Sequence, residues 1–446
     1  MIVGGGAAGT LTAVHLLRAG APGPLVLVER EDRLARGVAY STTFPQHLMN
    51  VVAGNLGGIS GRPDHLVEWL ASRGEAVDRG DFVPRVTFGC YLSALLAEAA
   101  EASPGVLETV RASVVDIARE DDLARIALAE GRSLGAARVV LATGTPAFRD
   151  AAVAGGWPRD SSRYVRDPWA PGALGRLAPG GDVLLVGTGL TMVDVALRLV
   201  AERPGVRLVG LSRTGLLPIP HRWPQGPIDT GYQPPPAGTS LTEQARAFRA
   251  AVRAAGTMGG DARDVVDAMR PYTQAIWKGF SATEQRRALR AYTRVWAINR
   301  NRMAPVAWEW IGELRRQGVL TIVAGTPVAV TETAAGLDVA VRHRGATDSV
   351  VMRFDAAVNC IGPGDSPFGD GDPLYDQLHG RGLARQHPLG LGLDTTDGGA
   401  VRNAAGAAQP WLSTLGWMRR GELWESVAIP ELRDQAAEIA ERVVSR

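Results

Sequence analysis

The first thirty residues combine short apolar stretches with a glycine-rich turn. MIV precedes Gly4, TLTAVHLLRAG has the apolar spacing of a helix and closes at Gly20, and PLVLVE is an apolar strand that ends in an acid. This order predicts strand, turn, helix and strand. It returns in GGDVLLVGTGLTMVDVALRLVAERPGVRLVGLSR, so two βαβ units form the main internal repeat.

The segments between and after these units predict further helices and strands. HLVEWLAS and CYLSALLAEAAEA have helical spacing, whereas TVRASVVDIA, LARIALAE and ARVVLATGTP are typical of strands. Gly, Pro and Trp concentrate in residues 151–180 and predict a crossover, residues 241–317 are mostly helical, and short strands return from Leu320. Helices and strands mixed in this way indicate an α/β fold.

The simplest assembly has two Rossmann-like dinucleotide-binding domains. Residues 1–150 and 328–446 would form a discontinuous first domain. Residues 151–327 would be inserted between them, with a helical subdomain at about 238–318.

Composition narrows the class of protein. Hydrophobic residues make up 46% of the 446 and the net charge is only +2, which argues against a nucleic-acid or membrane-surface protein. No apolar run reaches about 18 residues, so we expect no membrane span. Cys90 and Cys360 lie far apart without a CxxC, which excludes a dithiol redox centre and fits a reducing cytoplasm. The histidines form no HxH or HExxH, so we expect no metal.

The first glycine turn has the spacing of a dinucleotide-binding fingerprint. Gly4 permits a tight turn, Gly6 lets the backbone approach a diphosphate, and Gly9 lets the helix pack closely on the strand, with Ala8 beside it. Glu29 ends the next strand and can accept ribose hydroxyls, whereas it would repel a 2′-phosphate. The pattern favours FAD or NAD over NADP here.

The second turn differs in its charge. Gly187 and Gly189 are followed by Met192 where a third glycine would stand, and the next strand ends in Ser212 and Arg213 rather than an acid. An arginine there can pair with a 2′-phosphate, which indicates an NADP(H) site. A solvent-exposed arginine at a strand end is the alternative.

Two dinucleotide turns in one chain indicate a flavoprotein in which NAD(P)H reduces FAD. Besides the turns, we predict cofactor contacts from the first domain's strands at Val114, Ala142, Thr143 and Gly144.

The polar segment GVAYSTTFPQHLMNV, residues 37–51, follows the first unit. We predict that it crosses beneath the flavin, with His47 and Asn50 bonding the ring's polar edge. A loop held by its own hydrogen bonds is the alternative.

Several segments carry a resemblance over most of the chain. They are GGGAAG, GVAYSTTFPQHLMNV, FVPRVTFGCYL, ATGTP, VGTGLTMVD, LSRTGLLPIPHR, VWAINRNRMAP, VNCIGP and LGWMRRGELWESVAIPELRDQA. With these the chain resembles the bacterial FAD/NAD(P)-binding protein family related to flavin-dependent, N-hydroxylating monooxygenases. The resemblance implies FAD, NADPH, O2 and a small-molecule substrate. One departure is Asn299 and Asn301, where the family usually carries histidine.

Further site residues are predicted from their positions. Asn50, Arg300 and Arg302 are the catalytic candidates, the arginines as ligands of a substrate carboxylate. Pairing with nearby acids is the alternative for both arginines. Gly421, in WMRRGELW, lies where related flavoproteins close their C-terminal segment over the flavin.

Three functions remain open at this point. The first is an FAD-dependent, NADPH-linked monooxygenase acting on a small molecule, for example an amine or amino acid. The second is a flavin-dependent NAD(P)H oxidase or reductase, and the third is a non-catalytic FAD-binding redox partner. The substrate and the oligomeric state stay open as well.

Overall fold

The computed structural model describes residues 1–178, 180–222, 226–369 and 371–445. Its strands are, in chain order, β1 (Ile2–Val3), β2 (Leu25–Glu29), β3 (Leu107–Arg111), β4 (Val114–Glu120), β5 (Leu123–Leu128), β6 (Ser133–Ala136), β7 (Val139–Leu141), β8 (Tyr164–Val165), β9 (Asp182–Val186), β10 (Arg207–Ser212), β11 (Leu320–Thr333), β12 (Gly336–His343), β13 (Ser349–Phe354), β14 (Ala356–Asn359), β15 (Ala400–Arg402) and β16 (Ala408–Thr414).

The α-helices are α1 (Ala7–Arg18), α2 (Gly37–Tyr40), α3 (His65–Ser72), α4 (Arg85–Glu101), α5 (Leu190–Glu202), α6 (Leu241–Thr257), α7 (Ala262–Met269), α8 (Thr273–Gly279), α9 (Ala282–Ala291), α10 (Thr293–Arg300), α11 (Pro305–Arg316), α12 (Pro373–Gly380) and α13 (Ile429–Val444). None of the described helices is both long and apolar enough to cross a membrane.

The first sheet has six strands in the order β15-β16-β7-β1-β2-β3. All neighbours are parallel except β15 and β16. The two-residue strand β1 lies between β2 and β7 and pairs with both, which is why so short a strand can be the centre of a sheet. The carboxyl ends of β1, β2 and β7 therefore meet at one edge, where such sheets bind ligands.

Helices cover one face of this sheet, and smaller elements cover the other. Leu11 of α1, Phe88 of α4 and Ile439 of α13 belong to one buried cluster on the helical face. On the opposite face, Ile117 of β4 and Leu378 of α12 share a second buried cluster. The three-stranded antiparallel sheet β4-β5-β6 thus closes the core from the side opposite α1.

The second sheet has seven strands in the order β13-β12-β11-β10-β9-β14-β8. The strands β9, β10, β14 and the first half of β11 are parallel, and α5 connects β9 to β10. The helices α6 to α11 are inserted between β10 and β11.

The sequence predicts that the chain returns to the first domain at residue 328. This is wrong for the second half of β11 and for β12 to β14, which belong to the second sheet. The strand β11 continues through a bulge at Pro327 and Ala329 and pairs antiparallel with β12, which pairs with β13. The strand β14 then pairs with β9. We therefore propose that the second unit extends to Asn359.

Two antiparallel segments connect the halves of the chain. Phe148 bridges Pro363, and the N–H of Gly364 donates to the carbonyl oxygen of Ala147 over 2.8 Å. The connection that leads from the first sheet to the second therefore runs beside the connection that leads back.

Candidate functional site

The first glycine turn joins β1 to α1 at the carboxyl edge of the six-stranded sheet. Gly4 has φ +102°, and a Cβ there would lie 2.4 Å from the carbonyl oxygen of Ala142. A Cβ at Gly9 would lie 1.8 Å from the carbonyl oxygen of Gly4. Because real Cβ atoms do not approach so closely, only glycine fits either position.

The N-terminus of α1 is open to an anion. Gly6 is the N-cap without a side-chain hydrogen bond, and the first turn, which contains Ala8, carries no acid. A Cβ on Gly37 would lie 3.0 Å from the Cα of Gly6, so α2 covers the turn with backbone rather than with a side chain. The free N–H groups and the helix dipole suit a diphosphate.

Glu29 lies at the end of β2 and braces the turn. Its Oε2 accepts the N–H of Gly5 over 2.6 Å, and its Oε1 accepts the N–H of Glu31 over 2.9 Å. A carboxylate oxygen can accept more than one hydrogen bond, so both oxygens can still receive ribose hydroxyls. The predicted ribose contact is compatible with this geometry.

The remaining predicted contacts of the first domain lie at the same edge. Ala142 follows β7 directly, and its N–H donates to the carbonyl oxygen of Val3 over 2.8 Å. The hydroxyl of Thr143 lies 2.5 Å from the buried hydroxyl of Tyr375. Gly144 is exposed and half-buried Val114 begins β4. Their contacts with a cofactor stay predictions.

The second glycine turn joins β9 to α5. Gly187 has φ +113°, and a Cβ there would lie 2.6 Å from the carbonyl oxygen of Cys360. Gly189 is the N-cap of α5, with open space around its missing Cβ. Met192 is fully buried in the core of the second sheet, so it does not fill the turn.

Hydroxyl groups and arginines surround the second turn. The hydroxyl of Thr188 lies 2.8 Å from that of Ser212, and Nη2 of Arg294 donates to Thr188 over 2.9 Å. Arg213 follows β10 and is exposed, with no ion pair in the described ranges. The turn therefore carries positive charge, unlike the first turn with Glu29.

Both ring nitrogens of His47 contact protein groups. His47 is fully buried, and its Nε2 donates to the carbonyl oxygen of Asp194 over 3.1 Å. Its Nδ1 lies 2.8 Å from the hydroxyl of Thr42. Because both nitrogens are bonded inside the protein, the expectation that His47 bonds the flavin is corrected: it joins residues 37–51 to α5.

A buried ion pair adjoins this histidine. Nη2 of Arg85 lies 2.7 Å from Oδ2 of Asp194, and both side chains are largely buried. Burial and the charge of Arg85 lower the pKa of His47 to about 4, so its ring is neutral at pH 7. Burial raises the pKa of Asp194 to about 6, although Arg85 opposes this rise. The pair connects the start of α4 to α5.

Arg300 pairs with acids instead of facing an open pocket. Its Nη2 lies 3.2 Å from Oε1 of Glu431, and its Nε lies 3.3 Å from Oε2 of Glu425. Only 8% of the side chain is exposed. Trp296, one turn earlier, donates from Nε1 to Oε1 of Glu425 over 2.7 Å. The contacts favour a structural role that ties α10 to the C-terminal segment.

Arg302 is likewise corrected to an internal ion pair. Nη1 lies 2.8 Å from one carboxylate oxygen of Asp267 and Nη2 lies 3.1 Å from the other. Nη2 also donates to the carbonyl oxygen of Arg263, and Nε donates to that of Asn299. The side chain is buried, so its donors are occupied and a substrate carboxylate would have to displace Asp267.

Asn50 keeps an available side chain. Nε2 of His221 donates to its backbone carbonyl oxygen over 3.0 Å. Its carboxamide makes no hydrogen bond within the described ranges and is half-buried. It therefore remains a candidate for binding flavin or substrate.

The two asparagines that depart from the family pattern have structural surroundings. Asn299 donates from Nδ2 to the carbonyl oxygen of Val295 over 2.8 Å, within α10. Asn301 is exposed at the end of that helix. Neither contacts the first glycine turn in the described ranges.

Gly421 is required by packing. Its N–H donates to the carbonyl oxygen of Leu391, and its own carbonyl accepts Nε1 of Trp277 over 2.8 Å. A Cβ there would lie 2.2 Å from the ring of His387. Both backbone polar atoms have protein partners, so the expected approach to the flavin through them is not supported.

Sequence reasoning missed Arg294 at the second turn and the Arg85–Asp194 pair. Arg294 lies 106 positions from Thr188 in the sequence. Arg85 begins α4, which belongs to the part of the chain around the first sheet, whereas Asp194 lies on α5 beside the second sheet. No local pattern indicates such contacts. Among the described residues, His, Cys, Asp and Glu form no group that could hold a metal ion.

Residues 1–146 match the family model described as FAD-NAD(P)-binding. This match confirms the dinucleotide-binding character predicted for the first segment. No curated protein matches the chain.

Solved structures share the fold over the full length. The ornithine hydroxylase of Pseudomonas aeruginosa superimposes with a TM-score of 0.66 at 14% identity, covering 100% of this chain and 98% of that one. The ornithine N-hydroxylase of Kutzneria sp. 744, solved with reduced FAD, NADP+ and L-ornithine, gives 0.62 at 16% identity and 99% and 97% coverage. Thioredoxin reductase of Lactococcus lactis gives 0.55 at 11% identity and 100% and 97% coverage. The predicted fold class is therefore confirmed.

Proposed function

We propose that this protein is an FAD-dependent, NADPH-linked monooxygenase that oxygenates a small molecule, with N-hydroxylation of an amine or amino acid as the reaction class. The observation that carries the proposal is a pair of glycine turns of unlike charge. The turn that ends β1 lies beside Glu29, and the turn that ends β9 lies beside Arg213 and Arg294. The shared fold with two ornithine hydroxylases supports it.

The residues of the first turn fit FAD. Backbone without side chains at Gly4, Gly6 and Gly9 leaves room for a diphosphate at the start of α1. Glu29 has acceptor capacity left for a ribose and would repel a 2′-phosphate. A flavin held by these residues would pass the two electrons of NADPH to O2, so that one oxygen atom goes to the substrate and the other leaves as water.

The protein has to position the substrate and keep its amine neutral. An ammonium group has no lone pair to take up oxygen, so the site must bind the unprotonated amine. The carboxamide of Asn50 can donate and accept hydrogen bonds, and its backbone is held by His221. We propose Asn50 as a binding group; Arg300 and Arg302 act by holding α10 in place.

Thiol-dependent reduction is a weaker candidate despite the fold shared with a thioredoxin reductase. That chemistry needs two neighbouring cysteines, and the sequence has only two cysteines. Cys90 is exposed on α4, whereas Cys360 is fully buried and burial raises the pKa of its thiol well above the usual range. Neither is paired.

The test is the balance between NADPH, hydrogen peroxide and product in the purified, FAD-loaded protein. We expect NADPH to bleach the flavin, and one member of a panel of primary amines and amino acids to raise NADPH oxidation while lowering hydrogen peroxide yield. A hydroxylated product should appear in proportion to the missing peroxide. Stoichiometric peroxide with every amine would favour the oxidase reading, and a flavin that NADPH cannot bleach would exclude both enzymes.

A further inference from the structure

Arg294 reaches the second glycine turn from outside the dinucleotide fold. It lies on α10, in the helical insertion, and its Nη2 donates to the hydroxyl of Thr188 and to the carbonyl oxygen of Leu216 over 2.9 and 2.5 Å. Its Nη1 has no hydrogen bond within the described ranges. Its Nε donates to the hydroxyl of Thr214 over 3.4 Å, beside Arg213, so Nη1 is the nitrogen that remains available to a ligand.

Two positive charges lie together here without a neutralising acid. Arg294 is half-buried, and its pKa is lowered by burial and then by the charge of Arg213. Neither arginine has a carboxylate partner among the described residues. Two neighbouring guanidinium groups repel each other, so an anion between them would be stabilised by both.

The chemistry of the pair suits an anion such as a phosphate. The guanidinium of Arg213 offers parallel N–H donors that match the oxygens of a phosphate or carboxylate, and Nη1 of Arg294 adds a further charged donor. Arg213 follows β10 at the position that contacts the 2′ substituent of a nucleotide in this fold. Thr188 belongs to the turn, and its hydroxyl contacts both Ser212 and Arg294, so two hydroxyls add polar groups beside the pair.

The opposite end of α10 leads to the C-terminal segment. Trp296 donates a hydrogen bond to Glu425, and Arg300 forms ion pairs with Glu425 and with Glu431 at the start of α13. An eight-residue helix is about 12 Å long. Arg294 and Arg300 therefore lie at opposite ends of one helix, which joins the second turn to the part of the chain that follows the first sheet.

We propose that Arg294 is a specificity-determining residue that, together with Arg213, binds the 2′-phosphate of NADPH. This inference rests on the proposed function only for the identity of the nucleotide. It assigns cofactor selection in part to the helical insertion, because the phosphate would be held between β10 and α10. NADH, which lacks the phosphate, would leave the two arginines without their anion.

Equilibrium binding of adenosine 2′,5′-bisphosphate and of 5′-AMP, which differ only in the 2′-phosphate, tests the proposal without catalysis. We expect the wild type to bind the bisphosphate at least about 10-fold more tightly, since a charge-assisted bond contributes that much. Arg294→Ala and Arg294→Gln should each remove most of this preference and leave 5′-AMP binding within about twofold. Arg294→Lys should keep part of it.

The matched control is Arg249→Ala, an exposed arginine on α6 of the same insertion. It should bind both nucleotides as the wild type does. If both Arg294 variants lost affinity for the two nucleotides equally, with unchanged circular dichroism, the proposal would be overturned, because Arg294 would then only shape the turn. A wild type without preference for the bisphosphate would also overturn it. Failure of substrate oxygenation alone would contradict the proposed function and leave these binding results unaffected.

Discussion

The buried pair of Arg85 and Asp194 provides a direct test of how the two sheets are held together. Asp194→Asn keeps the shape of the side chain and removes its charge. Arg85 would remain largely buried, bonded through Nε to the carbonyl oxygen of Leu48, and it would lose the carboxylate 2.7 Å from its Nη2. Breaking one side of a buried pair usually costs about 3 kcal/mol of the free energy of unfolding, but burial also penalises the ionised carboxylate of Asp194, as its raised pKa indicates, so we expect a net loss of about 1 to 3 kcal/mol.

The double variant Asp194→Asn with Arg85→Met isolates the coupling. If the pair interacts as the geometry indicates, the double variant should lose at least about 2 kcal/mol less than the sum of the single variants. The hydrogen bond from His47 to the backbone of Asp194 is retained in all of them. The measurement is urea unfolding at pH 8, followed by tryptophan fluorescence and far-UV circular dichroism.

The pH dependence of the coupling has a defined sign. The pKa of Asp194 is raised from its usual 3.8 to about 6, so the ionised pair is present above pH 6 and is lost as the pH falls through that value. Protonation itself favours the folded state between these values, because the unfolded carboxyl releases its proton there. The coupling should therefore be smaller at pH 5 than at pH 8.

An exposed ion pair between β9 and β10 is the matched control. Arg207 and Asp182 are bidentate, with distances of 2.5 and 2.9 Å, but their side chains are 71% and 37% exposed. Asp182→Asn should cost less than about 1 kcal/mol. Additive single variants at Arg85 and Asp194, or an equal cost in both pairs, would refute the reasoning from burial.

Two further predictions follow from buried side chains. Stability should fall as the pH drops from about 6.5 toward 4. Burial lowers the pKa of His47 and His221 to about 4, so each unfolded ring binds a proton there that the folded ring does not. Each ring contributes about 3 kcal/mol to the fall, and the raised pKa of Asp194 offsets part of it below pH 6. The urea midpoint should depend less on pH in His47→Asn than in the wild type, and it should be unchanged in the control His343→Gln, an exposed histidine. Identical pH profiles in the wild type and His47→Asn would contradict this. Arg302→Met should cost about 2 kcal/mol through Asp267 and leave substrate KM unchanged; a raised KM with intact stability would restore the substrate role.

The local sequence was a good guide wherever a function depends on the backbone of one turn. The spacing of Gly4, Gly6 and Gly9 and the acid at Glu29 predicted a turn whose geometry the structure gives in detail. The family match over residues 1–146 confirms its dinucleotide-binding character. These features are local because a turn, its helix and its strand lie within thirty residues.

The polar segment of residues 37–51 shows where local reasoning ends. Its start lies on the first turn, since Gly37 approaches Gly6. Its later part faces the second sheet, where Phe44 and Leu48 pack on the core and His47 bonds α5. The hydrogen-bonding side chains of this segment predicted a cofactor loop. In the structure, His47 instead donates a hydrogen bond to the carbonyl oxygen of Asp194, which lies 147 positions away in the sequence.

The sequence by itself determined the two dinucleotide turns, their opposite charges and the α/β class, because periodicity and glycine spacing act within one supersecondary unit. Only the tertiary structure decided which arginines are available. Arg302 looked suited to a substrate carboxylate, but Asp267 from another helix neutralises it. Arg294 had no motif, yet it lies at the second turn without an acid among the described residues. Charge pairing depends on contacts between distant segments, and those exist only once the chain has folded.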